Sequence, residues 1–225
     1  MTQISDALRS GAAAPVGSGV SPGYQRAELL AVEFGAVTTL TSTGICVLVT
    51  TTGASSGLSA TGSLVTAGVA TFDVPRTVSL TSTANNSGLG VTVNGTDAYG
   101  VVLSEKITGP NATTVNGAKA FKTVTSLTAT GIVTALSAGS SDIYGLPVRI
   151  ADKGKVVGMY MDGVSATSAT IVAGFTTTGT STATTADTRG TVAHNTASNG
   201  TRVFSALVIV GDPNTTTGLY GATQA

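Results

Sequence analysis

The sequence predicts an all-β protein: an antiparallel β-sandwich or jelly-roll-like domain with an extended N-terminal arm. Apolar residues alternate with Thr and Ser in many short segments, as in Val78-Ser79-Leu80 and Val91-Thr92-Val93. A period of two is typical of strands with one wet face. Clusters of Asn, Asp, Gly and Pro interrupt the alternation at short intervals, as turns between strands require.

The first 27 residues are predicted to form the arm. Within them, residues 11–23 read GAAAPVGSGVSPG, which is too rich in Gly, Pro and Ala to pack as a regular element. Two interpretations are open. The segment is a disordered terminus, or it is a strap laid over a neighbouring subunit and ordered only in the assembly.

Residues 28–210 are predicted to form the β-sandwich domain, in one or two sub-sheets. Glu28–Phe34 fits a short helix or a first strand, and its brevity and β-rich context favour the strand. The nearly continuous apolar run at 45–50 predicts a fully buried strand. Residues 64–65 and 69–74 predict a hairpin around Ala67-Gly68.

Four antiparallel strands are predicted between Val74 and Gly131. Turn clusters at 84–88, 97–100 and 109–111 divide the segment. Asn and Gly in these clusters tolerate the left-handed backbone that tight reversals need. Pro110 lacks the donor that a central strand position requires, so it marks a break in the ladder.

The amino-acid sequence of this segment resembles that of a known protein family. The phrases TVSLTSTANNSG, VTVNGTDAYG, SEKITGPNATTV and KAFKTVTSLTATG resemble a segment that recurs in virion structural proteins of tailed bacteriophages. DPNTTTGLYG, at 212–221, is similar to the same group. The resemblance covers about half of the chain. It consists of residue patterns typical of turns and strands and includes no catalytic signature.

The resemblance implies a head decoration (cement) protein. Such a chain binds the outside of the capsid, contacts the major capsid protein as a homo-oligomer, most simply a homotrimer, and stabilises the lattice. It is assembled in the host cytoplasm and resides in the virion. The alternative is a receptor- or carbohydrate-binding tail or head fibre module, in which the Thr-rich stretch 176–199 presents the binding surface.

The remaining elements are less regular. The predictions are a short strand at 132–136, a polar loop at 137–142, an edge strand at 144–150 because Pro147 cannot sit inside a sheet, and a hairpin of 155–162 with 169–175. The stretch 176–199 predicts an exposed loop or a weakly held ribbon. Residues 202–210 predict a central strand, and 211–225 a turn-rich tail along a surface.

Charge and composition exclude some partners. Charged residues make up only 10% of the chain, against about 25% in ordinary soluble domains. Eleven basic and eleven acidic residues cancel, so a nucleic-acid partner is not expected. A surface so poor in charge is either covered with Ser, Thr and Gly or buried against other copies. A core with few aromatic residues favours oligomerisation as a further source of stability.

Cys46 stands alone in an apolar strand and is predicted to be a small buried hydrophobe. A chain without an internal disulfide suits assembly in a reducing cytoplasm. The first nine residues lack the layout of a signal peptide. No apolar run approaches the roughly 20 residues that span a bilayer, so no membrane partner is expected.

No catalytic, cofactor-binding or metal-binding residue is predicted, and the chain is not expected to be an enzyme. His194 is the single histidine and lies in a Thr-rich stretch, which favours a solvated side chain over a general base. One histidine and one cysteine disfavour a zinc site of ordinary ligand type. The carboxylates lie beside Gly, Pro or Ser, where aspartate makes turns, and no calcium-loop or phosphate-loop pattern occurs.

The few basic side chains in the family-like segment are Arg76, Lys106, Lys119 and Lys122. Their simplest interpretation is a solvated face or a cross-strand pair, worth less than about 1 kcal/mol each. The functional alternative is that they mark subunit contacts.

Overall fold

The computed structural model describes residues 28–53, 56–166, 169–175 and 187–210. These residues form an all-β fold, which confirms the predicted class. The predicted arm (1–27) and tail (211–225) lie outside the described residues. The described strands are β1 (Glu28–Ala36), β2 (Cys46–Val49), β3 (Gly57–Leu58), β4 (Val65–Thr66), β5 (Val69–Ser82), β6 (Gly90–Thr96), β7 (Val102–Thr108), β8 (Thr114–Ala129), β9 (Leu136–Gly145), β10 (Val156–Met161), β11 (Val164–Ser165), β12 (Ala169–Ala173), β13 (Gly190–His194) and β14 (Val203–Val210).

Two antiparallel sheets contain these strands. The smaller sheet has the order β1-β14-β10-β11. The larger sheet follows the path β12-β13-β9-β5-β8-β6-β7, and β2, β3 and β4 pair with β9, β8 and β5. A 3-10 turn at Lys153–Lys155 leads into β10. The arrangement is consistent with a β-sandwich.

The larger sheet curls around its own core. β8 is 16 residues long and pairs first with β5 and then with β6, so β6 and β7 fold over one side of the sheet. Gly95 allows the close approach, because a Cβ there would collide with the carbonyl of Thr123. Buried aliphatic and aromatic side chains from β2 to β9 fill the curl, among them Phe72, Leu80, Val93, Leu103, Phe121 and Leu127.

A second core lies between the two sheets. Tyr144 on β9 packs between Phe34 of β1 and Phe204 of β14, with ring centroids 5.3 and 5.8 Å apart. Val192 of the larger sheet and Val32 and Val208 of the smaller one join this cluster. Apolar burial of this kind is the main attraction that holds two sheets face to face.

Several sequence predictions are confirmed. The segment 74–131 contains four antiparallel strands, β5 to β8, and 28–34 is a strand. Ala67 and Gly68, with φ of 52° and 80°, make the β4–β5 turn, since a type I′ reversal needs positive φ at both positions. β14 lies between β1 and β10, as a central strand should. Cys46 is a buried free thiol, and burial raises its pKa.

The predictions for 132–150 are wrong. Residues 132–135 are not a strand, and the predicted polar loop 137–142 belongs to the buried strand β9. Burial of these serines is tolerated because hydroxyl hydrogen bonds cross between β5 and β9. The Ser141 and Thr77 hydroxyls bond at 2.6 Å, and the Ser79 hydroxyl donates to the carbonyl of Ser140 at 3.1 Å. The predicted edge strand 144–150 is the end of β9 followed by an irregular segment.

Two more predictions are corrected. Residues 155–162 and 169–175 do not form a hairpin, because β10 pairs with β11 and β14 in the smaller sheet, whereas β12 pairs with β13 in the larger one. Within 176–199, residues 190–194 form the largely buried strand β13 rather than an exposed loop; residues 176–186 lie outside the described residues. β2 is not fully buried, since Leu48 is 64% exposed.

Candidate functional site

Glu105 and Lys119 form a buried polar joint between β7 and β8. Glu105 is 1% exposed, and its carboxylate accepts the backbone N–H groups of Ala118 at 2.5 Å and Lys119 at 3.2 Å. The Lys119 ammonium donates to the carbonyl of Ser104 at 2.9 Å. Gly117 makes room, because a Cβ there would lie 2.5 Å from the Glu105 carboxylate. Hydrogen bonds of these two side chains therefore connect β7 and β8, which are not joined by a ladder of backbone hydrogen bonds.

The pKa values of this pair reflect the low polarity of the joint. Burial raises the pKa of Glu105 to about 7, against the opposing effects of the two N–H donors and the Lys119 charge. Burial likewise lowers the pKa of Lys119, although Glu105 and Asp187 oppose the change. A carboxyl that titrates near neutrality is the kind of group that general acid–base chemistry uses. Here its two oxygens are engaged by the backbone of β8.

A buried ion pair holds the turn between β6 and β7. Asp97 pairs with Arg189, and both side chains are almost fully buried. The other Asp97 oxygen accepts the N–H groups of Tyr99 at 2.8 Å and Val101 at 3.0 Å. The Arg189 guanidinium lies 4.9 Å from the centre of the Tyr99 ring. Asp187 accepts the N–H of Ala120 at 3.0 Å. The segment that leads into β13 is therefore bound to both β8 and this turn.

Arg76 on β5 joins the larger sheet to the segments that flank the smaller one. It is 1% exposed, and it donates to the Thr38 carbonyl at 2.6 Å and to Asp73 at 2.9 Å. Its other terminal nitrogen lies 3.7 Å from Asp142. Asp142 in turn accepts the N–H and hydroxyl of Ser198, at 2.9 and 2.7 Å. The network therefore connects the end of β1, the larger sheet and the approach to β14.

The titration behaviour of this network follows from its contacts. Burial alone would raise the pKa of Asp73, but hydrogen bonds from Thr38 and the Arg76 charge outweigh it, and the pKa is lowered. Burial, reinforced by the neighbouring Asp142 charge, raises the pKa of Tyr144. At neutral pH the two pKa shifts keep Asp73 ionised and the Tyr144 phenol protonated.

Of the two simple interpretations of Arg76 and Lys119, a solvated face or a cross-strand pair, the solvated face is wrong, because both side chains are buried. A signal in the sequence marks both: each stands in phase with buried apolar neighbours, Arg76 with Val78 and Leu80, and Lys119 with Phe121. Glu105 is likewise in phase with Leu103 and Ile107. A charge on the apolar phase of a strand indicates a buried, partnered side chain. Lys122 and Lys106 are only half-buried. Lys122 donates to the carbonyl of Asp73.

The prediction for His194 is also wrong, because it is buried rather than solvated. It ends β13 at 8% exposure, with its ring centre 4.5 Å from that of Phe204. Burial lowers its pKa, so the ring is neutral at pH 7. Neither ring nitrogen has a hydrogen-bond partner among the described residues. The residue also lines the trough described next.

A trough of about 580 Å³ lies along the larger sheet, between the start of β8 and the strands β9, β12 and β13. Most of its lining surface is apolar, and hydroxyl groups and the amide of Asn116 are among its polar groups. The residues that line it include Ser79, Asn116, Gly117, Ser141, Thr170, Val172 and Ala193. The described part of the trough can offer hydrogen bonds to a polar ligand.

Exposed apolar side chains lie on two neighbouring segments beside the start of β9 in the larger sheet. Val47 and Leu48 of β2 and Ile132 are 47%, 64% and 54% exposed. Their segments lie side by side, because Thr51 donates to the Val133 carbonyl at 3.0 Å and Val133 donates back to the Thr51 hydroxyl at 3.0 Å. We refer to Val47, Leu48 and Ile132 as the tip patch.

A second apolar surface covers the side of the smaller sheet that faces away from the larger one. We refer to the outward side chains of β1, β14 and β10 as the outer face: Leu29, Ala31, Glu33, Val203, Ser205, Leu207, Ile209, Val157 and Tyr160. Register confirms that they share a side, since Leu29 is opposite Ile209 and Ala31 is opposite Leu207.

Metal-binding clusters are not found in the described ranges, where no three His, Cys, Asp or Glu side chains come together as a metal site would need. Nor do those ranges contain a helix long and apolar enough to cross a bilayer. The buried charges described above are engaged with backbone groups or with one another. Their arrangement is that of side chains that stabilise the fold.

Comparison with known proteins gave no match: no family model, no curated protein and no solved structure resembles the chain significantly.

Proposed function

We propose that the chain is a structural protein of a tailed-phage virion that binds the outside of the capsid and stabilises the lattice of the major capsid protein. The observation that carries the proposal is the tip patch. Large apolar side chains that stay in water beside a rigid sheet cost free energy, which contact with another protein removes. The resemblance of segment 74–131 to virion proteins supplies the kind of partner.

The interior supports a mechanical role. Of three buried polar joints, those centred on Arg189 and Arg76 connect segments that are distant in sequence. The third, centred on Glu105, connects the consecutive strands β7 and β8, which do not pair in the sheet. Breaking a buried charged contact is costly, because it leaves an unpaired charge in a poorly solvating site. A body fastened in this way transmits load between the contacts it makes. The few surface charges leave apolar burial and backbone pairing as the main sources of affinity.

Binding to empty shells of the major capsid protein tests the proposal. The purified chain should co-sediment with shells stripped of decoration and raise their temperature of disruption. Leu48→Asp and Ile132→Asp should weaken binding at least tenfold, because each places a charge in the contact. Val102→Asp is the matched control, since Val102 is 68% exposed on β7, outside the tip patch.

Copy number in purified virions gives a second readout. A decoration protein occurs in proportion to the major capsid protein. A handful of copies at one vertex or on the tail would contradict the capsid role.

A receptor- or carbohydrate-binding fibre module is the second candidate, and the trough is the observation that favours it. Hydroxyl and amide groups in its lining suit the polar groups of a sugar. Asn116→Trp, at an exposed position of the lining, would obstruct such a ligand. Glycan affinity in the native chain that this change abolishes would support the fibre role over the capsid role.

A further inference from the structure

We infer that the outer face of the smaller sheet is the surface through which one copy of this chain binds another. The inference deepens the proposed function, on which it rests for the homo-oligomer, by naming the surface that the copies share. The two surfaces then have separate partners, since the tip patch contacts the capsid and the outer face contacts a second copy.

The outer face is apolar where it is most exposed. Leu29 is 61% and Val157 is 53% exposed, and both lie at the end of the sheet where β1 begins and β14 ends. Leu207 lies at the centre, between Ala31 on one neighbouring strand and Gly158 on the other. A strand that is apolar on both sides is typical of a sheet covered on both sides.

The side chains around the centre of the outer face project little from the sheet. A Cβ on Gly158 would lie 2.8 Å from the Tyr160 ring, so the ring lies back over the glycine instead of projecting outward. Ala31 is small on the opposite side of Leu207. A second sheet can therefore approach closely over Leu207, as in aligned sheet packing.

Charge favours another copy over a charged partner. Of the outward side chains on β1, β14 and β10, the one that carries a charge is Glu33, opposite Ser205 and away from the Leu29 end. Two such faces stack without bringing like charges to the centre. An acidic or basic partner would find no complementary groups there and would lose hydration of its own charges.

The size of the face sets the expected affinity. Three strands about 4.8 Å apart and roughly 26 Å long cover about 400 Å². Two stacked faces would then bury about 800 Å² in total, below the roughly 1,200 Å² of standard specific interfaces and in the range of weak contacts. Association should be weak and concentration-dependent in solution, and stronger on a lattice that holds copies beside one another.

Sedimentation equilibrium of the purified full chain, without capsid, tests the inference. The native chain should move from 22.0 kDa towards a multiple of that mass as its concentration rises through the micromolar range. Two copies are the expected result, because two outer faces stacked on each other form one closed contact, and this would replace the homotrimer with a dimer. Three copies would overturn the stacked-face contact. Leu207→Asp should raise the dissociation constant at least tenfold, whereas Val102→Asp should leave it unchanged.

Cross-linking locates the contact independently of affinity. Cys46 is buried, so Leu207→Cys adds the accessible thiol at the centre of the outer face. Mild oxidation should link these copies in pairs, and Val102→Cys copies should stay separate. A chain that remains a single copy at every concentration, or a Leu207→Cys variant that does not cross-link, would overturn the inference. That includes the case in which the chain's own terminal segments cover the face.

The two proposals fail separately. Loss of self-association with intact shell binding removes the outer-face contact alone. Self-association without shell binding removes the capsid role and keeps the interface.

Discussion

The Glu105 carboxylate on β7 accepts the backbone N–H of Ala118 on β8 at 2.5 Å, although β7 and β8 are not neighbours in the larger sheet. A side chain, rather than a ladder of backbone bonds, fastens the curl of that sheet. β6 lies between the two strands in the order of the sheet, so this bond fixes how far the sheet bends. The proposed virion role requires rigidity, to which such joints contribute.

Replacing Glu105 tests that joint. The folded pKa is about 7, whereas an ordinary glutamate titrates near 4.5. Between these pH values the folded chain keeps a proton that the unfolded chain has released, so the free energy of unfolding falls as the pH rises. Glu105→Gln removes this slope, and it sets its amide NH₂ against one backbone N–H, at a cost of about 1–3 kcal/mol.

Urea unfolding followed by circular dichroism measures both effects. The stability advantage of the native chain over Glu105→Gln should be larger at pH 4.5 than at pH 7. An advantage that is equal at both pH values would show that Glu105 titrates as an ordinary carboxyl, and one that is larger at pH 7 would show that the fold lowers its pKa. Either result would contradict the raised pKa.

Arg76→Met should lower the free energy of unfolding, because it removes the connection between the larger sheet and the segments that flank the smaller one. The change leaves Asp73 and Asp142 without their shared cation. We expect a loss of about 3 kcal/mol, at the lower end of the range for breaking a buried pair, because both carboxylates keep some contact with water. Lys122→Met is the control: Lys122 is half-buried and donates to one carbonyl, so its loss should cost about 1 kcal/mol or less. Equal effects of the two changes in denaturant titrations would contradict the joint.

Asp97→Asn separates the charge of Asp97 from its turn. The asparagine oxygen can still accept the N–H groups of Tyr99 and Val101, but Arg189 loses its carboxylate. A loss of about 2–4 kcal/mol is expected. Adding Arg189→Gln should recover part of it, since the buried charge is then absent. Full additivity of the two changes in a double-mutant cycle would mean that the pair is not coupled.

His194→Leu should stabilise the protein, and more so in acid. A leucine of similar volume keeps the contact with Phe204 and removes a ring whose nitrogens lack partners in the described structure. The pKa of His194 is lowered in the fold, so below about pH 6.5 the unfolded chain takes up a proton that the folded chain refuses, and stability falls. Thermal unfolding at about pH 5 and pH 8 should show the larger gain at the lower pH. A loss of stability at both would point to a polar role for the ring.

The sequence predicts the β class and the central strands because alternation and turn residues are local signals. β5 to β8 and the Ala67-Gly68 turn are found where those signals lie. The prediction fails at 137–142, because serines that bond one another across strands can be buried, and a loop and a buried polar strand then have the same composition. Which strand pairs with which is not local information, so the assignment of β10 and β12 to different sheets does not follow from the sequence.

The polar joints escape prediction for a different reason. Residue type alone places Arg76, Glu105 and Lys119 in water, although each stands at a position in phase with buried apolar residues. The Thr-rich neighbours of His194 suggest a solvated loop, yet Thr191, Val192 and Ala193 before it lie in the largely buried strand β13. The tip patch and the outer face depend on what the two sheets leave uncovered, and strand patterns alone do not reveal that.

The most direct test of the central claim is co-sedimentation of the purified chain with decoration-free capsid shells. Saturable binding in proportion to the major capsid protein, lost in Leu48→Asp and retained in Val102→Asp, is the predicted result. Failure of the folded native chain to bind these shells at any concentration would contradict the claim.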